Sequence, residues 1–99
     1  MTHDAAPAFA DLPQRDGSGR PVRVTVLGRQ GCHLCERARV AVSRVCERTG
    51  TGWVEADVDD HPELVPVFGE WVPVIFVDGR RHDYWAVDEQ RLTEALTRG

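Results

Sequence analysis

Cys32-His33-Leu34-Cys35 stands where one pattern of hydrophobicity stops and another starts, and that junction restricts the folds open to this chain more than any other stretch. Ahead of it, Val22, Val24 and Val26 alternate with Arg23 and Thr25, the period of a half-buried strand that ends at Leu27-Gly28. Behind it, from His33 to about Arg48, Leu34, Ala38, Ala41 and Val45 recur at helical spacing, with Glu36, Arg37, Arg44, Glu47 and Arg48 on the other side. Gly50 and Gly52 supply the stop. A strand therefore passes through a short loop carrying two thiols directly into a helix. The first N–H groups of a helix have no intrahelical partner and carry partial positive charge, so a thiolate at Cys32 is favoured there over the thiol. Cys35, one turn further on, falls within disulfide reach. The chemistry this predicts is thiol–disulfide exchange, in which Cys32 attacks a substrate disulfide and Cys35 resolves the mixed disulfide.

The rest of the chain supplies a sheet for that junction. Trp53 to Val58 alternates Val54, Ala56 and Val58 with Glu55 and Asp57, which makes a parallel strand–helix–strand unit, right-handed by the general rule. The turn Asp57-Val58-Asp59-Asp60-His61-Pro62 leads to a short helical segment over 63–68, with Asp60 or His61 as cap and Pro62 in the first turn. Pro66 lies too deep for a regular helix starting there, and Gly69 ends the segment. Val72-Pro73-Val74-Ile75-Phe76-Val77 is almost continuously apolar, as a central strand covered on both faces requires. Asp78-Gly79 is a two-residue hairpin signal, so Arg80–Tyr84 returns antiparallel as a charged edge strand. Asp88 caps a final helix whose Leu92, Ala95 and Leu96 face inward. Residues 1–20 show no sustained period, with Asp16-Gly17-Ser18-Gly19 as a joint, and read as a flexible tail before one domain over 21–99.

Charge and cysteine usage narrow the function. A net charge of −4 argues against nucleic acid as a partner, because phosphate binding needs a clustered basic face. Residues 1–52 hold eight Arg against five acids and residues 53–99 four Arg against eleven, so the positive excess lies on the half that carries the cysteines. No apolar run approaches the roughly 20 residues that span a bilayer, so no membrane segment is expected. Three cysteines without a signal-peptide hydrophobic region point to a reducing, cytoplasmic setting. No metal site is expected: Cys46 is eleven residues beyond Cys35, about 16 Å along the helix, and cannot share an ion with it. Cys46 reads instead as a small buried hydrophobe.

The order β-α-β-(α)-β-β-α, with Cys32-His33-Leu34-Cys35 at a helix start, Val72-Pro73 opening the third strand and Arg29 three residues ahead of Cys32, resembles a glutaredoxin-like protein of the thioredoxin-fold superfamily over about residues 22–97. The resemblance implies an α/β thioredoxin-like fold of minimal glutaredoxin type, with a four-stranded mixed sheet, and a monomeric thiol–disulfide oxidoreductase. It implies that Pro73 is cis beside the cysteine pair and that the Val72 backbone pairs with the substrate. It also implies that Arg29 contacts the glycyl carboxylate of glutathione and that Asp88 keeps the acidic cap at its γ-glutamyl end. His33 and Leu34 stand where the family usually has Pro-Tyr, and Tyr84 and Trp85 stand near its Gly-Gly turn. Glutathione is a candidate co-substrate rather than a tightly bound cofactor, and disulfide-containing proteins are the other candidate partners. Two further classes stay open on this reading: a redox-inactive binding module that docks through an aromatic rim of Trp71, Tyr84 and Trp85, and a metal or iron–sulfur carrier acting through Cys32.

Overall fold

The computed structural model describes Arg15 and residues 18–97. Four strands, β1 (Val24–Gly28), β2 (Trp53–Asp57), β3 (Val74–Val77) and β4 (Arg80–Tyr84), form one mixed sheet in the order β2-β1-β3-β4. β1 is parallel to β2 and antiparallel to β3, and β3 is antiparallel to β4. Three helices complete it: α1 (His33–Thr49), α2 (Val65–Phe68) and α3 (Glu89–Thr97). Side chains alternate across a strand, so the two central strands divide their residues between two cores. Val24, Val26, Ile75 and Val77 pack with Ala38, Val42, Val45 and Cys46 of α1 and Leu92 and Leu96 of α3. Leu27, Val74 and Phe76 pack with Ala56, Val58, Leu64 and Phe68, and the Phe68 and Phe76 rings meet edge to face at 5.7 Å. This is the α/β thioredoxin-like arrangement with its four-stranded mixed sheet.

Local chemistry explains the element ends. Gly50 takes the left-handed conformation, φ +68°, and its N–H closes α1 on the Cys46 carbonyl. Asp78 and Gly79 both have positive φ, 54° and 82°, the backbone of the tight hairpin their identities predict. Arg23 fastens that turn, its guanidinium forking onto Asp78 at 2.9 Å and donating to the Leu96 carbonyl. Asp88 accepts the Arg91 N–H at 3.1 Å and so caps α3.

The structure departs from the sequence reading in several details. β1 is buried throughout rather than half-buried, because β2 and β3 flank it and both its faces are covered; Thr25 is small enough to be enclosed there. The buried stripe of α1 is Cys35, Ala38, Val42, Val45 and Cys46, whereas Leu34 is exposed. β2 stops at Asp57, and Val58 opens a 3-10 turn, Val58–Asp60, capped by Asp57. The short helix begins at Val65, so Pro66 falls in its first turn, where no backbone donor is required; Asp60 and His61 do not cap it. β3 begins at Val74, two residues into the apolar run that starts at Val72. The expected tail lies outside the described residues apart from Arg15 and residues 18–20, where Arg15 makes an isolated antiparallel bridge with Pro21. Among the described residues no helix is long and apolar enough to cross a membrane.

The observed rotation of α1 has a measurable consequence. Val42→Ala, in the core, is expected to cost about 1.5–3 kcal/mol in urea unfolding. Val40→Ala, on the exposed face, is expected to stay within about 0.5 kcal/mol.

Candidate active site

The two cysteines of the loop–helix junction occupy different environments. Cys32 is the N-cap of α1, in extended conformation with φ −96° and ψ 113°, and its Sγ accepts the Cys35 backbone N–H at 3.1 Å. A sulfur thus takes the place a Ser or Asp oxygen usually fills at a helix start, facing donors that favour negative charge. Cys32 is partly exposed and Cys35 fully buried, and both are free thiols. Burial, then the hydrogen bond with Cys32, pushes the Cys35 thiol up to about 12, so it keeps its proton while Cys32 is the sulfur that solvent reaches. Cys46 lies in the core between α1 and α3, where burial pushes its thiol up to about 11.

The Val72–Pro73 peptide is cis, as the sequence resemblance implies, and Pro73 is fully buried. The antiparallel register of β1 and β3 runs to Leu27 opposite Val74, and one step further brings Pro73 beside Gly28. Gly28 in turn lies under the second cysteine: a Cβ there would come 3.3 Å from Cys35 Sγ. Pro73 and the cysteine pair therefore share one end of the sheet. Among the described residues no backbone hydrogen bond engages Val72.

Beside Pro73 stands an aromatic cluster. The Trp85 N–H donates to the Pro73 carbonyl at 2.7 Å, and its indole Nε1 donates to the Glu70 carbonyl at 3.4 Å. Trp85 sits at φ +72°, a region that non-glycine residues seldom occupy. Its ring stacks on Trp71 at 4.9 Å and 13°, and Tyr84 meets both edge-on at 5.1 and 5.4 Å. All three rings are exposed, which is unusual for a contiguous aromatic group. Trp85, Ala86 and Val87 also face His33 and Leu34 across a groove, so the two residues between the cysteines and the segment before α3 line one surface.

Two other sequence-predicted residues have structural partners. Arg29 forks onto the Asp59 carboxylate at 3.0 and 3.1 Å and donates to the Gly69 carbonyl at 3.2 Å, tying the cysteine loop to the 3-10 turn and to the end of α2. Asp88 spends its carboxylate on the α3 cap, and its own N–H reaches Asp83, which pairs with Arg91 at 3.2 Å. The sequence pattern assigns no site role to Arg39 or to Glu55, which reads only as a polar strand position. Their side chains form an ion pair at 2.6 Å, and Glu55 Oε2 would lie 3.8 Å from the same Gly28 Cβ position that Cys35 Sγ approaches. The one signal available was the spacing of Arg39, four residues after Cys35 and hence on the same helix face. Among the described residues no group of three or more His, Cys, Asp or Glu side chains is arranged to hold a metal ion.

Comparison with known proteins agrees with this geometry. The model of the glutaredoxin-like domain (DUF836) family matches residues 23–97. Uncharacterized proteins of Mycobacterium tuberculosis and Mycobacterium bovis are each 36% identical over 81 residues, covering 77% of this chain and 84% of theirs. A crystal structure of a protein from X. campestris superposes with TM-score 0.63 at 30% identity, over 77% of this chain and 97% of that one. A thioredoxin from Halobacterium salinarum superposes with TM-score 0.54 at 24% identity, over 76% and 71% of the two chains, a likeness of fold.

The buried thiols make stability depend on alkaline pH. Unfolding exposes Cys35 and Cys46 to water, where they ionise near pH 9.0, whereas in the folded chain they hold their protons to about 12 and about 11. The folded state binds more protons between these values, so stability falls as pH rises through that window. The urea midpoint of the reduced protein is expected to drop from about pH 9 upward, and Cys46→Ala to drop less steeply over the same range.

Proposed function

The chain belongs to the glutaredoxin-like domain (DUF836) family, and from that membership and its cysteine geometry we propose that it is a cytoplasmic, monomeric thiol–disulfide oxidoreductase. The observation that carries the reading is the division of labour between the two thiols: an accessible Cys32 Sγ held by a helix N–H, and a buried, protonated Cys35 one turn behind it. Cys32 attacks one sulfur of a substrate disulfide and forms the mixed disulfide, releasing the other sulfur as a thiol. Cys35 then attacks Cys32 Sγ, closing the Cys32–Cys35 bond and releasing the second substrate thiol. The unpaired backbone at Val72, ahead of the cis Pro73, supports an extended substrate segment laid beside the pair.

On the substrate side, two observations favour protein disulfides over glutathione. The Arg29 guanidinium is already committed to Asp59 and Gly69. The exposed Trp71, Tyr84 and Trp85 offer a broad apolar surface next to Pro73 that suits a polypeptide. Leu34 and His33 continue that surface on the other side of the groove.

Trapping tests the reaction. Cys35→Ser is expected to accumulate mixed disulfides with substrate proteins, and Cys32→Ser to accumulate none; identical behaviour of both variants and the wild type would refute the activity. For the substrate preference, Trp85→Ala is expected to slow reduction of a protein disulfide such as insulin about tenfold, the loss of about 1.4 kcal/mol of contact. Reduction of hydroxyethyl disulfide, too small to reach the aromatic surface, is expected to change less than about twofold.

A further inference from the structure

The helix that buries Cys35 also turns apolar side chains outward. Its inward stripe is Cys35, Ala38, Val42, Val45 and Cys46. Leu34 and Val40 lie outside that stripe, 46% and 58% exposed, and belong to neither core. Trp85, Ala86 and Val87 stand across from them, and the two sides enclose a groove of about 710 Å³ with Ala41 in its lining. The groove begins beside the cysteine pair, at His33 and Leu34, and extends to Arg44 and Glu89. Leu34, Arg37, Ala41 and Arg44 recur at spacings of three, four and three, so they share one face of α1. Among the described residues no hydrogen bond or ion pair engages Arg37. Arg44 reaches Glu89 only at 3.7 Å, and the same carboxylate is shared with Arg48 at 3.7 Å. Arg37, Arg44 and Arg48 thus meet Glu36 and Glu89 with one positive charge in excess, on a chain whose net charge is −4. The far side of the cysteine pair has the opposite balance. There Glu55, Asp57, Asp59 and Asp60 outnumber Arg29 and Arg39, which are already paired with Asp59 and Glu55.

We propose that this groove seats the stretch of substrate polypeptide next to the reacting cysteine, and that it selects apolar side chains followed by an acidic one; this rests on the dithiol reading above and names a substrate class for it. Apolar contact with Leu34, Val40 and Trp85 supplies affinity. The arginines supply direction, because an acidic side chain laid the other way meets the carboxylates beyond Gly28. Helix geometry sets the spacing. Arg37 lies five residues beyond Cys32, about 7.5 Å along α1, and Arg44 twelve residues beyond it, about 18 Å. An extended chain covers these distances in about two and about five residues. The preferred substrate therefore carries Asp or Glu about two to five positions from its cysteine, with apolar residues between.

Symmetrical peptide disulfides test this. Peptides of one sequence carry leucine beside the cysteine and either aspartate or lysine three positions away, placed in turn on the N-terminal and the C-terminal side. Thiol release by the reduced protein is measured in a single turnover. In one of the two placements the aspartate peptide is expected to react at least about fivefold faster than the lysine peptide at about 10 mM ionic strength, and the ratio to fall toward one at about 1 M. The double variant Arg37→Glu, Arg44→Glu is expected to reverse the ratio. Because the ratio is taken within one protein, it does not depend on the fraction folded. Equal rates for the aspartate and lysine peptides in both placements, with hydroxyethyl disulfide still reduced by the wild type, overturn the role of the groove and leave the dithiol reading standing. A preference that the double variant retains overturns its assignment to Arg37 and Arg44. Self-association of the wild type that the double variant abolishes gives the groove to a second copy of the chain and also overturns the proposal. Failure of the wild type to reduce any of these disulfides overturns both readings.

Discussion

The contact on which the site depends is the seating of Cys35 Sγ on Gly28, where the last residue of β1 meets the first turn of α1. A Cβ at position 28 would come 3.3 Å from Cys35 Sγ, tighter than ordinary packing, so glycine there lets the Cys35 side chain sit on the strand without displacement. Once Cys35 is buried in that contact, helical geometry sets Cys32 one turn back, at the N-cap, where its sulfur is accessible and receives the Cys35 N–H. The unequal character of two chemically identical side chains thus follows from a packing constraint. It needs no special residue between them, and His33 and Leu34 are free to face the groove instead.

The remaining features assemble around that same end of the sheet. β1 and β3 are buried over their whole length, which makes them rigid rails for the two segments they hand on: the cysteine loop after β1 and the Val72–Pro73 turn before β3. Arg29 pins the first segment to the 3-10 turn and α2, and the Trp85 N–H pins the second from the other side. Surface ion pairs of this kind are individually weak, but a bidentate fork with a third bond to a carbonyl restricts geometry more than it stabilises. The left-handed backbone of Trp85 is held by two hydrogen bonds and a stacked ring, and the result is an aromatic wall directed at the site.

Most of this was legible because turn and cap chemistry is local. Gly50, Asp78-Gly79 and Asp88 each dictate a backbone event within a few residues, and the apolar run from Val72 admits little besides a central strand. What was not legible needs knowledge of what lies alongside. Thr25 carries a hydroxyl and so reads as a solvent-facing position, yet β2 and β3 enclose it. Leu34 fits the apolar spacing of α1 but sits in the first turn, outside the stripe that packs on the sheet, while Cys35 and Val42 take the inward positions. Arg29 matches a ligand-binding position by its place before Cys32, and only the fold brings Asp59 and Gly69 to it. Arg39 and Glu55 escape notice for the same reason: they are sixteen residues apart and meet through the rotation of α1 over the parallel β1–β2 pair.

The central claim is that Cys32 and Cys35 form a redox pair from which Cys46 is excluded by burial and distance. Mild oxidation of the reduced protein followed by peptide mapping tests it most directly. The account predicts a monomer carrying one Cys32–Cys35 disulfide, with Cys46 recovered as a free thiol after denaturation. Recovery of all three cysteines as thiols, or a disulfide that includes Cys46, would contradict it.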